Sequence, residues 1–94
     1  MSGARKFLEE NYNMNSKITL EDYLRTYKNG VWYGNVDIYG VDDDTYEIFI
    51  GCLSYEDLKL EENKKLRDLR VIFINENVIV YITKKDDFME YYLS

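Results

Sequence analysis

The sequence predicts a single α+β domain: a four-stranded antiparallel sheet with two N-terminal helices and a short C-terminal helix, in the order α-α-β-β-(α or loop)-β-β-α. Three observations lead there. Apolar residues recur at helical spacing up to Tyr27, a period of two takes over from Val31, and turn-forming residues divide the second half into two hairpins. With 94 residues, 46% hydrophobic and 32% charged, the chain has the size and composition of one folded domain, residues 1–94.

The elements follow in order. Ala4 to Tyr12 predicts a short helix with Phe7, Leu8 and Tyr12 near one face, and Asn11 to Ser16 breaks it. Thr19 is a helix N-cap, with Glu21 and Asp22 set against the positive end of the helix dipole. Leu20, Tyr23, Leu24 and Tyr27 form its core-facing stripe, and Asn29-Gly30 ends it.

The first strand starts at Val31. Trp32, Gly34, Val36 and Ile38 fall on one side; Tyr33, Asn35, Asp37 and Tyr39 fall on the other. Gly40 to Asp44 is a turn and Thr45 to Leu53 the returning strand, which places Asp42, Asp43 and Asp44 at a hairpin tip. Residues 54–68 fit either a helix or a loop, opened by a Ser54/Asp57 capping box. Leu69 to Asn75 and Asn77 to Thr83 make a second hairpin. Their nearly continuous apolar runs predict central strands buried on both faces, with Phe73 and Val80 joining Leu24 in the core. A second capping-box pattern, Thr83 to Asp86, opens a terminal helix carrying Phe88, Met89, Tyr91 and Tyr92.

Composition excludes several chemistries. The sequence lacks histidine, so triads and histidine general bases are out, and one cysteine cannot build a zinc site or an internal disulfide. Cys52, within an apolar run, is expected to be buried. The five glycines form no phosphate-binding loop. Asp42, Asp43, Asp44 and Glu47 are oxygen donors, but adjacent residues cannot all face one ion, so no metal is expected. No apolar run reaches the ~20 residues of a membrane span, and the first residues lack a signal-peptide pattern, so a cytoplasmic protein is expected.

A formal charge of −6 disfavours direct nucleic-acid binding and favours a basic protein partner. Ten tyrosines supply the amphipathic rings common at interfaces. Frequent Tyr, Asn, Lys and Ile are what an AT-rich genome encodes. The composition resembles that of small inhibitors from phages and mobile elements, such as anti-CRISPR proteins and nuclease inhibitors.

The expected function is a small, acidic, non-enzymatic protein-binding module without a cofactor. The candidate contact residues are Asp42, Asp43, Asp44 and Glu47, as a phosphate mimic, or Tyr33, Tyr39 and Asp37, as a tyrosine-rich face. The alternative is a regulatory subunit that homodimerises through an exposed sheet edge, and the last reading is a metal-dependent hydrolase.

Overall fold

The computed structural model describes residues 3–28 and 35–93. Helices α1 (Gly3–Asn11) and α2 (Leu20–Lys28) form where helical spacing predicted them. The Thr19 hydroxyl accepts the Asp22 amide at 3.1 Å, which satisfies one of the donors a helix start leaves open. Leu20 and Leu24 are fully buried. The helix end at Asn29-Gly30, and Val31 to Gly34 with Trp32 and Tyr33, lie outside the described residues.

Four strands follow: β1 (Val36–Val41), β2 (Glu47–Leu53), β3 (Arg70–Ile74) and β4 (Val78–Tyr81). They form one sheet in the order β2-β1-β4-β3. Both hairpins are antiparallel, as predicted, but the sheet is mixed. Its central pair, β1 and β4, runs parallel, from Ile38 beside Val78 to Val41 beside Tyr81. The reason lies in residues 54–69. Parallel alignment needs a crossover of about a dozen residues or more, and this segment is long enough to carry the chain from one edge of the sheet to the other.

The crossover contains α3 (Tyr55–Leu58) and a 3-10 helix, Glu61–Leu66. The predicted Ser54/Asp57 capping box is present in both directions. The guanidinium of Arg67 donates to the carbonyls of Leu58 at 2.5 Å and Leu60 at 3.1 Å, closing the segment on itself. Leu58, Leu66 and Leu69 are buried and Leu60 is exposed. The change from α to 3-10 winding is why these leucines fit no single period.

Helix α2, the crossover and the C-terminal segment cover one face of the sheet. There Leu20, Leu24, Ile38, Leu58, Leu66, Val80, Ile82 and Phe88 form the main core. Gly40 makes room at this layer, because a Cβ there would collide with the Ile82 side chain. A smaller core of Leu8, Met14, Val41, Ile72 and Tyr81 lies where α1 packs on the opposite face.

Four expectations are corrected. β3 is an edge strand, not a central one. Phe73 is 40% exposed and Ile74 is exposed too. The register shifts between Val71 and Phe73, so Ile72 and Phe73 together oppose Ile79; Ile72 takes the buried place under α1 and Phe73 does not. Cys52 is exposed although it lies two positions from the buried Ile50, because the register shift at Ile50 switches the face and sets Cys52 opposite the exposed Asp37. The Thr83 capping box does not form: the last segment starts as a 3-10 helix, Lys85–Phe88, with no side-chain cap at Lys84, and continues into α4 (Met89–Tyr92).

Candidate functional site

Two groups of residues separate in space: the tip of the β1–β2 hairpin and the open part of the sheet face shared with α1.

The tip is a built turn. Thr45 donates its amide to the Asp42 carbonyl at 3.0 Å and adopts a positive φ of 60°, the three-residue hairpin geometry in which this position is left-handed. Asp42 organises it. One carboxylate oxygen accepts the amides of Asp44 at 2.9 Å and Tyr46 at 3.0 Å; the other accepts the Tyr92 hydroxyl at 2.7 Å, with Lys85 Nζ at 3.8 Å. Asp42 is only 4% exposed, so it is an internal brace and not a surface charge. Lys85 also lies over the Tyr92 and Tyr46 rings, whose centroids are 5.4 Å apart with the planes tilted by 52°. Burial, and then the bond to Asp42, push the Tyr92 phenol well above its ordinary pKa.

Asp43 is engaged as well. It accepts a short hydrogen bond from the Tyr81 hydroxyl and lies 3.6 Å from Arg5 of α1. Asp44 is exposed, and its carboxylate takes no hydrogen bond or ion pair among the described residues. The three tip aspartates therefore divide into a buried brace, a tie to α1 and one outward charge. Among the described residues, no three acidic or cysteine side chains converge as a metal site would require.

The sheet face is different. The pairing aligns Phe49, Tyr39, Ile79 and Phe73 across β2, β1, β4 and β3. This single row crosses the whole sheet. Tyr39 and Phe49 rings are 5.1 Å apart; Tyr12 sits edge-on to Phe73 at 6.0 Å and Phe7 edge-on to Tyr12 at 6.4 Å. The row thus continues onto α1. Phe49 is 51% exposed and Phe7 45% exposed, while Tyr39, Ile79 and Tyr12 are half-buried.

Acidic groups border the row. Asp37 precedes Tyr39 by two positions on the same face, and Glu47 precedes Phe49 likewise; both are exposed. Glu47 is close enough that its charge, after burial, raises the Tyr12 phenol pKa. Asp37, the cross-strand partner of Cys52, pushes the thiol pKa up through a side-chain hydrogen bond. The four strands contain one cation, Arg70. It is held by the carbonyls of Met14 at 2.8 Å and Ser16 at 3.2 Å and stacks on Tyr81.

The structure therefore places Asp37, Tyr39 and Glu47 together on one face and Asp42 to Asp44 at the tip; Tyr33 lies outside the described residues. Sequence reasoning missed Phe49, Ile79 and Phe73. Phe49 was findable: it alternates with Ile48 and Ile50 and shares the parity of Glu47. Phe73 was not, because a bulge leaves no mark in an apolar run. Compared with known protein families, curated proteins and solved structures, the chain matches none.

Proposed function

We propose that the chain is a non-enzymatic protein-binding module whose contact surface is the row from Phe49 to Phe73, bordered by Asp37 and Glu47. The observation that carries this reading is the row itself. A sheet face left to water carries mostly polar side chains, whereas here aromatic and aliphatic side chains stand next to one another across all four strands. Large aromatic rings with a charged rim are the usual composition of an energetic interface centre. A contiguous exposed apolar patch costs solubility unless something covers it.

The partner is a protein with a basic surface. The chain's formal charge of −6 and the carboxylates on the rim supply the complementarity. A basic nucleic-acid-binding protein has such a surface, which makes inhibition of that protein, in the manner of anti-CRISPR proteins and nuclease inhibitors, the biological reading. The contact is led by the aromatic row and not by a phosphate mimic at the hairpin tip, since Asp42 and Asp43 are already bonded within the fold.

The test is cross-linking inside cells that express the chain, with a photoreactive phenylalanine analogue at position 49 or, as control, at the exposed position 86. The expected result is a discrete adduct from position 49 only, lost when Tyr39→Ala and Phe73→Ala are combined. Equal adducts from both positions, or none from 49, would falsify this reading.

A further inference from the structure

The two edges of the sheet are treated differently. The outer edge of β3 is covered by the segment between α1 and α2. Val71 donates its amide to the Ile18 carbonyl at 2.7 Å, Leu20 donates to Leu69 at 2.7 Å, and Asn13 donates to Ile72 at 2.8 Å. β2 has no such cover: among the described residues, no backbone group of Glu47–Leu53 bonds to any element except β1. An edge strand directs its unpaired amides and carbonyls outward, ready for another strand. Natural edges are commonly blunted by lysine, proline or inward charges. β2 contains no lysine or proline, Glu47 is its one charge, and the register shift at Ile50 protects only its C-terminal half, leaving Glu47–Phe49 open.

We infer that the outer edge of β2 takes an extended cationic segment of the partner as an added strand. The inference rests on the binding-module reading and specifies its mode. Three features fit the occupant. Phe49 ends the row at this edge: its ring meets Tyr39 on one side and is otherwise half open, so an added strand supplies the missing neighbour. Glu47 lies two positions away on the same face, so a segment with an apolar residue opposite Phe49 sets a cation opposite Glu47. The register shift at Ile50 bends the strand, so the straight edge is short and the occupant is a short segment.

Charge decides against a second copy of this chain. Edge-to-edge pairing would join two bodies of charge −6, which repel one another, whereas a cationic strand is attracted.

The experiment uses the whole chain and three fluorescein-labelled peptides: a lysine–valine peptide in which lysine and valine lie two positions apart with threonine between them, its glutamate–valine counterpart, and the lysine–valine peptide N-methylated at every amide. Binding is read by anisotropy, and its location by amide NMR shifts. The lysine–valine peptide is expected to bind saturably, with both other peptides at least about tenfold weaker, and with shifts centred on Glu47–Phe49. Phe49→Ala, an exposed position, should weaken it without unfolding the chain. Equal binding of the N-methylated peptide overturns the inference by showing that charge alone attracts. Absence of binding, or self-association of the chain by sedimentation with shifts on β2, overturns it as well. The binding-module reading survives all three results if a position-49 cross-link to a partner is still obtained, so the two failures are distinguishable.

Discussion

Asp42 shows how a residue that resembles spare surface charge can be structural. Its carboxylate satisfies two backbone amides and the Tyr92 hydroxyl at a site from which water is nearly excluded. Removing an acceptor there strands buried donors, which costs more than the bonds contribute when present. Asp42→Ala is therefore expected to destabilise the fold by about 3 kcal/mol in urea denaturation, while Asp44→Asn, at an exposed position, should change it by less than about 0.5 kcal/mol. The same network sets an alkaline limit. Burial raises the pKa of Tyr12, Tyr81, Tyr91 and Tyr92 above the ordinary value. The folded chain thus keeps these protons to higher pH than the unfolded chain, whose tyrosines ionise near pH ~10. Their contribution is fully present below about pH 10 and is lost as pH rises from there through the folded values. Thermal melts should show a steep fall in stability above pH ~10, and Tyr92→Phe should make it shallower. An unchanged slope in that variant would remove Tyr92 from the account.

The β3 bulge is the feature that most changes which side chains are buried and which are presented. It turns Ile72 under α1 and leaves Phe73 on the open row. Ile72→Ala should cost about 2–5 kcal/mol, as a buried truncation does, and Phe73→Ala less than about 1 kcal/mol. Equal losses in denaturation would mean that the bulge is misplaced. Among the elements, helices and hairpins were legible because local chemistry marks them: Thr19 as a cap, Ser54 with Asp57 as a capping box, Glu47 and Phe49 alternating with Ile48 and Ile50. Strand order was less legible. The parallel pairing of β1 with β4 depends on where residues 54–69 run, and their leucines pass from α to 3-10 winding. The Thr83 pattern shows the converse error, since a capping signature is only an offer when the chain winds as a 3-10 helix.

For the whole molecule, the sheet has a closed face and an open one. Helix α2, the crossover and the C-terminal segment bury the closed face, whereas α1 leaves the row from Phe49 to Phe73 partly in water. The face shared by Asp37 and Tyr39 was legible from sequence, because their parity separates them from Val36 and Ile38, whereas Glu47, read with the hairpin tip, lies on that same face. The division of the three tip aspartates was not, since it depends on Tyr81, Tyr92 and Arg5, which are distant in sequence. The central claim is that the open row, and not the acidic tip, holds the partner. The most direct measurement is the affinity of the cross-linked partner, once purified, for three chains: wild type, Phe49→Glu and Asp44→Asn. The account predicts that Phe49→Glu binds at least about tenfold more weakly, as loss of an interface anchor does, and that Asp44→Asn stays within about threefold of wild type. A large loss in Asp44→Asn beside an unaffected Phe49→Glu would contradict it and return the contact to the hairpin tip.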